Sequence, residues 1–172
     1  MTEELQKYYL LIKNSKFFIG SILSKLPKGT YFLKNIPKII VVEPDSAACV
    51  MESIKSGKIE KVQIIRESLM GGMSCGEPSL VPWKILKNSV NNCISLPDDD
   101  IGKAMKLFAN ASFGQDKIIA GENSAPGVIS LIASCNDEKV KNKLNLDHNS
   151  NVLLIGCEGD TDQEMYQKLL KD

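Results

Sequence analysis

Three short loops of this 172-residue chain combine small residues with an acid, a composition suited to close contact with a polar ligand. They cover residues 70–78, 120–127 and 156–162. Glycines let the backbone approach a ligand closely, and the carboxylate, amide and hydroxyl groups beside them supply hydrogen bonds. Loop 70–78 has three glycines among its nine residues, so a flexible connection is an equally valid interpretation of it. We take the three loops together as the candidate ligand site.

The middle loop contains Glu122, Asn123 and Ser124 ahead of a predicted helix. A helix N-terminus leaves free amide groups that bind polar ligands. The same residue types also cap helices, because their side-chain oxygens accept hydrogen bonds from the first turn. The sequence leaves two interpretations open: a ligand-binding loop, or a helix cap made by Glu122 and Ser124.

The third loop follows an apolar run, which predicts a buried strand that ends at Gly156 and Cys157. Ligands of α/β proteins bind outside such strand ends. Glu158, Asp160 and Asp162 offer the oxygen atoms that hard cations prefer, but nothing here matches the calcium-binding EF-hand loop. A capped turn is the preferred interpretation, and no metal site is predicted.

Composition argues against several classes of function. Lys plus Arg and Asp plus Glu both number 21, so there is no net charge to attract nucleic acid. No apolar run approaches the roughly 20 residues of a membrane span, and no signal peptide is expected. Five widely spaced cysteines without a C-x-x-C pair, and a single histidine, His148, argue against structural zinc and a disulfide framework. We expect a cytoplasmic protein with reduced thiols and no nucleic-acid or membrane partner.

Apolar runs and helical periods alternate along the chain. Residues 38–44 are a β-branched run bounded by prolines, which predicts a buried strand. Asp45 or Ser46 then caps a helix that Gly57 ends. The other predicted strands are residues 62–65, 92–96, 118–120 and 152–155. The other predicted helices are residues 3–25, 82–87, 122–134, 136–144 and 161–170, and one that residues 97–100 open.

Strands that alternate with helices imply a mostly parallel sheet covered on both faces. The predicted fold class is α/β, with a partial open sheet and helices on both faces. The length fits a single domain, residues 1–172, with an atypical helical segment at 1–36 and the α/β region at 37–172.

Four pieces of the sequence carry a resemblance to a known family. They are residues 39–45, 72–78, 121–125 and 158–162, which include Cys-Gly-Glu-Pro and Glu-Gly-Asp-Thr-Asp. In this order and at these separations they resemble the C-terminal part of diaminopropionate ammonia-lyases. Those lyases are fold-type II pyridoxal-phosphate (PLP) enzymes, with threonine dehydratase and the tryptophan synthase β subunit. Because the Cys-Gly-Glu-Pro piece is specific to the lyases, threonine dehydratase is the weaker alternative.

The resemblance implies PLP as the cofactor and a small amino acid as the substrate. In the family, PLP acidifies the Cα proton of 2,3-diaminopropionate, the β-amino group leaves, and pyruvate and ammonia result. The implied cofactor-binding residues are Gly72, Glu122, Asn123, Ser124, Gly156 and Cys157. Related enzymes often hold Ser or Thr beside the pyridine nitrogen at the position of Gly156. Neighbouring Cys157 is therefore the candidate partner of that nitrogen.

The resemblance also implies components that have no counterpart in this sequence. The family's Schiff-base lysine and its proton-abstracting acid lie in segments that nothing here matches, so no catalytic residue is assigned. A glycine-rich loop for the PLP phosphate should precede strand 38–44, but residues 14–21 contain a single glycine, Gly20. We therefore expect a truncated lyase that is inactive alone.

Two alternatives stay open beside that expectation. The chain is half of a split enzyme completed by a separate N-terminal chain, or a non-catalytic binding or interaction module on the same scaffold. A sheet without its neighbouring half exposes edges and apolar surface, which favour self-association. We expect a homodimer or a larger oligomer.

Overall fold

A four-stranded parallel sheet forms the centre of the computed structural model, which describes residues 15–19, 37–114 and 116–171. The strands are β1 (Ser15–Ile19), β2 (Lys38–Pro44), β3 (Val90–Leu96) and β4 (Asn151–Ile155), in the spatial order β3-β2-β1-β4. β1 pairs on both sides, with Phe17 opposite Ile39 of β2 and Leu153 of β4. Since all the pairings are parallel, the carboxyl ends of the strands lie at one edge of the sheet.

Six α-helices surround this sheet in the described part of the chain. They are α1 (Cys49–Ser56), α2 (Leu80–Ser89), α3 (Ile101–Ala109), α4 (Pro126–Asn136), α5 (Glu138–Leu144) and α6 (Gln163–Leu169). Alternate residues of β2 face opposite sides, so Ile40 and Val42 pack with Leu144 of α5, whereas Val41 packs with Trp83 of α2. The predicted α/β class, with a parallel sheet and helices on both faces, is confirmed. None of the described helices is long and apolar enough to cross a membrane.

A third apolar cluster lies among α3, α4 and α6 and holds two of the candidate loops. Its buried members are Met70, Met73, Ile101, Ala104, Met105, Ala125, Val128, Tyr166 and Leu169. Met70 and Met73 anchor a short 3-10 turn, Gly71–Met73, at both of its ends. Ala125 anchors the residues immediately before α4 in the same cluster. Loop 70–78 is therefore attached to the core through its first half, whereas its interpretation as a flexible connection stays a prediction.

Two predicted strands are wrong, because neither finds a partner in the sheet. Residues 62–65 and 118–120 have no strand conformation in the structure. Ile65 is 87% exposed and Ile119 is 59% exposed, whereas Val62 packs against the core without pairing to a strand. The remaining elements from residue 37 onward are confirmed, most of them to within about two residues at each end.

The predicted helix 3–25 is wrong where it can be compared, since residues 15–19 are β1. Phe17, Phe18 and Ile19 belong to the aromatic and β-branched types that favour strands, and β1 pairs with strands on both sides. The rest of that prediction, including Gly20 of the expected phosphate loop, lies outside the described residues.

The helix predicted over 122–134 begins later, at Pro126. Proline has no N–H to offer the helix and disfavours helical backbone in the residue before it, so it suits the first helical turn. Residues 122–124 instead form a turn, closed by the Ser124 N–H, which donates to Gly121 O at 2.9 Å. This turn keeps the polar side chains of the middle loop outside the helix.

The cap of α1 also differs from the prediction. Neither Asp45 nor Ser46 caps this helix; the carboxylate of Glu43 does, since it accepts from Val50 N and Met51 N at 2.8 Å each. Glu43 is 6% exposed, and burial raises its pKa above the ordinary 4.5. The predicted end of the helix at Gly57 is confirmed, and Gly57 has the left-handed backbone that favours glycine.

Candidate functional site

The three candidate loops meet beyond the carboxyl end of β4. A Cβ atom built on Gly72 would lie 3.1 Å from Asn123 Nδ2, so the first and middle loops touch there. A Cβ atom on Gly156 would lie 2.8 Å from both Cβ and Oγ of Ser124, so the middle and third loops touch as well. The structure thus brings together four of the six predicted site residues, Gly72, Asn123, Ser124 and Gly156.

Glu158 joins the middle loop to the third loop through its side chain. Its Oε2 accepts a hydrogen bond from Asn123 N at 2.8 Å and another from Asn123 Nδ2 at 2.7 Å. One residue therefore holds both the main chain and the side chain of Asn123. Charged acceptors make stronger hydrogen bonds than neutral ones, so the carboxylate is a firm attachment point for this loop.

The main chain of Glu158 makes a second set of bonds to the same loop. Its carbonyl oxygen accepts from Ser124 Oγ at 2.9 Å and from Gly121 N at 3.0 Å, while its N–H donates to Ser124 Oγ at 3.1 Å. The Ser124 hydroxyl is thereby occupied, and α4 receives no side-chain cap. The interpretation of Glu122 and Ser124 as caps of this helix is wrong.

Gly121 allows this close approach of the two loops. A Cβ atom at residue 121 would overlap Gly159 O and would lie 2.9 Å from both Cγ and Oε2 of Glu158. Any side chain there would push the loops apart. The sequence alone presents Glu158 only as a possible cation ligand or turn residue. Its pairing with a residue 35 positions away is a tertiary contact that no local pattern reveals.

Acidic groups dominate the electrostatics of this end of the sheet. Burial raises the pKa of the Glu122 carboxyl, and the charges of Glu158 and Asp162 raise it further. The Tyr166 hydroxyl also has a raised pKa, mainly through burial and then through the charge of Asp160. These acids repel anions and favour neutral or positively charged groups.

The acids of the third loop do not converge on a metal ion. Asp162 caps α6 instead, where its Oδ1 accepts from Met165 N at 2.9 Å, so the preferred interpretation of a capped turn is confirmed. In residues 15–19, 37–114 and 116–171, no three His, Cys, Asp or Glu side chains are placed to share a metal.

The remaining predicted residues lie at the surface of the same region. Glu122 is half-buried, and Cys157 is exposed at the end of β4 beside Gly156. Asn123 is only 6% exposed, and its Oδ1 is buried without a hydrogen-bond partner among the described residues. A buried acceptor without a partner is costly and calls for an explanation.

The three-loop surface is open rather than enclosed. Gly72, Gly156 and Cys157 are all exposed. A groove of about 510 Å³ lies further along the first loop, at the start of α2, and is lined by Ile59 and residues 77–82. The groove contains none of the predicted site residues. A ligand at the three loops would therefore be contacted by this chain on one side only.

Comparison with known proteins agrees with the resemblance found in the sequence. The family described as pyridoxal-phosphate dependent enzyme matches residues 22–158. Diaminopropionate ammonia-lyase of Salmonella typhimurium is 34% identical over 163 residues, which are 89% of this chain and 39% of that protein. The protein of the same name from Escherichia coli K12 is 34% identical over 154 residues, covering 88% of this chain and 38% of that protein.

Solved structures give the same picture. Diaminopropionate ammonia lyase from Escherichia coli, crystallised with an aminoacrylate-PLP azomethine reaction intermediate, has a TM-score of 0.77 and 26% identity, covering 98% of this chain and 45% of that one. Serine racemase of maize shares the fold, with a TM-score of 0.70 and 17% identity over 97% of this chain and 51% of that one.

The chain spans about 39% of the length of the curated relatives that it matches. The matched region of the family includes β2, β3, β4 and all but the last few residues of the candidate loops. With the family match, the relatives and the fold all in agreement, this chain belongs to the pyridoxal-phosphate dependent enzyme family.

Proposed function

We propose that this chain provides the wall of a PLP site that faces the pyridine ring, in an ammonia-lyase that acts on 2,3-diaminopropionate. One observation carries the proposal: Gly72, Asn123, Ser124 and Gly156, which come from three separate loops, meet beyond the end of β4. Glu122 and Cys157 border the same surface and complete the proposed set. The relatives at 34% identity support the substrate and the reaction.

The residues present fit the ring side of the cofactor. Gly72 and Gly156 have no side chains to obstruct a flat ring, and Asn123 lies against Gly72 at the same place. Cys157 would stand beside the ring nitrogen, where a neutral thiol donates or accepts only weakly. Bound PLP would supply the electron sink that makes a substrate Cα proton acidic. This chain would position the ring and exclude water from one side of it.

The phosphate and the aldehyde of PLP find no equivalent support in these loops. Glu122, Asp160 and Asp162 would repel a phosphate group. No lysine occurs in residues 70–78, 120–127 or 156–162, so no Schiff base can form there. We propose that the chain alone has no lyase activity. Pyruvate formation by the purified chain from 2,3-diaminopropionate and PLP would contradict this.

Binding at the ring wall can be tested without imine chemistry. Deoxypyridoxine phosphate keeps the ring and the phosphate of PLP but lacks the aldehyde, so surface lysines cannot react with it. In ¹⁵N NMR titrations, the amide shifts should concentrate at Gly72, Asn123 and Gly156. Inorganic phosphate, added as the control, should not reproduce them. Shifts confined to the groove at Ile59, or no shifts at all, would overturn the proposal.

A split enzyme and a non-catalytic module are the alternatives. Ile118 and Ile119 are 44% and 59% exposed, and Ile119 lies beside Gly159 at the edge of the site. This apolar surface suits a covering polypeptide. A neighbouring reading frame that encodes a lysine segment and a glycine-rich loop would favour the split enzyme. Pyruvate should then form only when both chains are mixed.

We also propose self-association and a cytoplasmic location. Leu80 and Val81 are 72% and 70% exposed on α2, and such adjacent apolar side chains favour contact between copies. Sedimentation velocity over a concentration series should show a dimer or a larger species, and a monomer throughout would contradict self-association.

The proposed cytoplasmic location rests on the cysteines. Unpaired thiols such as Cys75 and Cys135 suit a reducing compartment, and fractionation of cells that express the chain would test this location.

A further inference from the structure

We propose that Glu158 is a positioning residue, which couples the loop of Asn123 and Ser124 to the strand end of Gly156 and Cys157. The inference rests on the proposed PLP site, because the coupling is proposed to hold that site in place. It assigns to Glu158 a role distinct from that of the residues expected to touch the ring.

The contacts of Glu158 set it apart from the other acids nearby. Its carboxylate holds Asn123 through two hydrogen bonds, and its main chain holds Ser124 and Gly121 through three more. Asp160 and Asp162 make no contact of this kind with the middle loop in the described part of the chain. Each of these five bonds runs to the same short turn, residues 121–124.

The position of Glu158 in the chain links the middle loop to the end of β4. It follows Gly156 and Cys157 directly, so any shift of Glu158 moves the strand end as well. Asn123 also lies against Gly72, so the coupling extends to the first loop. The three parts of the ring wall are thereby held in one arrangement before a ligand arrives. Preorganisation of this kind lowers the ordering cost that binding would otherwise incur.

Gly121 and the partnerless Oδ1 of Asn123 support this role. Gly121 has no Cβ, which allows the Glu158 carboxylate to approach within bonding distance of Asn123. With its Nδ2 fixed by Glu158, the side-chain amide of Asn123 has its Oδ1 held in a buried position without a partner. A buried acceptor without a partner calls for an explanation, and preorganisation of the ring wall supplies one.

The test compares Glu158→Ala, Glu158→Gln and the control Glu164→Gln, which removes one negative charge from an exposed position in α6. Glutamine retains an oxygen that can accept both bonds from Asn123, so it should rescue the alanine variant. Amide hydrogen exchange of Asn123 should quicken roughly tenfold or more in Glu158→Ala, since a bond to a charged acceptor is lost. Gly121 should follow, although its bond is to the main chain, while the amides of β2 and α1 keep their wild-type exchange rates.

Binding of deoxypyridoxine phosphate gives the second readout. Its affinity should fall roughly tenfold in Glu158→Ala and stay near the wild-type value in Glu158→Gln and Glu164→Gln. If Asn123 and Gly121 exchange at wild-type rates in Glu158→Ala, the coupling does not exist. If exchange quickens across the whole domain instead, Glu158 is structural and the inference fails.

The two proposals fail in distinguishable ways. Absence of ligand binding by the wild-type chain would refute the ring wall but would leave the exchange rates to decide the coupling. Wild-type binding that Glu158→Ala leaves unchanged would refute the positioning role while retaining the ring wall.

Discussion

The side chain of Ser124 fills the space beside Gly156: a Cβ atom on Gly156 would lie 2.8 Å from both Cβ and Oγ of Ser124. A glycine is therefore required at the end of β4 as long as a serine stands across from it. The resemblance to the lyases and their relatives implies a Ser or Thr at the position of Gly156.

This pairing predicts a coupled pair of mutations. Gly156→Ser should reduce the free energy of unfolding by about 1–3 kcal/mol, because the added atoms overpack the loop contact. Ser124→Gly should destabilise as well, because two hydrogen bonds to Glu158 are lost. The double variant should be more stable than the sum of the single effects by about 1 kcal/mol. Urea denaturation of all four proteins measures the coupling. Strict additivity would show that side chains at residues 124 and 156 do not overlap.

Gly121 and Gly159 form a matched pair for a second prediction. Gly121→Ala should reduce the free energy of unfolding by about 1–3 kcal/mol or more, because its Cβ meets a main-chain oxygen that cannot rotate away. Gly159→Ala is the control, since the nearest atom to its Cβ is Ile119 O at 3.8 Å. Urea midpoints should therefore separate the two variants. Equal destabilisation would mean that the two loops can move apart to accommodate a side chain at residue 121.

The cysteines should differ in their reactivity with alkylating agents. Burial is the main cause that raises the pKa of Cys49 to about 12 and that of Cys93 to about 11, and the charge of Glu43 adds to both. A thiolate is the reactive form, so both should react slowly with iodoacetamide. The exposed cysteines, Cys75, Cys135 and Cys157, should be labelled first. Peptide mass mapping over time checks this order, and early labelling of Cys49 would contradict its burial.

The buried cap of α1 predicts a dependence of stability on pH. Burial raises the pKa of Glu43 in the folded state above the ordinary 4.5. Between these two values the folded state binds more protons than the unfolded state, so this group's contribution to stability is lost as pH rises through that window. Glu43→Gln cannot titrate at this position and serves as the reference. Relative to it, the wild type should lose stability as pH rises from about 4 and then reach a plateau.

Urea titrations of both proteins at each pH measure that difference. Its slope isolates Glu43, because the other titrating groups are shared. A wild type that gains stability relative to Glu43→Gln over the same window would contradict the prediction. In that case the hydrogen bonds from Val50 and Met51 outweigh the cost of burying the charge.

The sequence predicted the elements whose pattern is local. The β-branched run of β2 is buried on both faces, as its composition requires, and Gly57 ends α1 as its freedom of backbone allows. Residues 118–120 have the composition of a strand but no neighbour to pair with, and pairing is a property of the whole fold. Local pattern is likewise unable to show that Glu43, rather than Asp45, caps α1. Glu43 belongs to β2 and lies seven residues before Val50, whose N–H it accepts.

For the candidate site, the sequence identified the loops but not what joins them. Small residues at 72 and 156 indicated close approach, and the structure gives each a neighbour, Asn123 and Ser124. The two bonds from Asn123 to Glu158 span 35 positions, so their existence depends on how β4 and α4 are placed. The resemblance supplied the order of the loops, and the geometry supplied their contacts.

The core beneath the site is rich in thioether sulfur. Met70 and Met73 of the first loop are buried together with Met105 of α3. Oxidation of a methionine to its sulfoxide turns a flexible apolar side chain into a polar one, which such a core cannot accommodate without repacking. Peroxide would reach these sulfur atoms only when the cluster opens. Their oxidation rate therefore reports how often this methionine cluster opens to solvent. Each oxidation event would also weaken the packing that places Gly72 against Asn123.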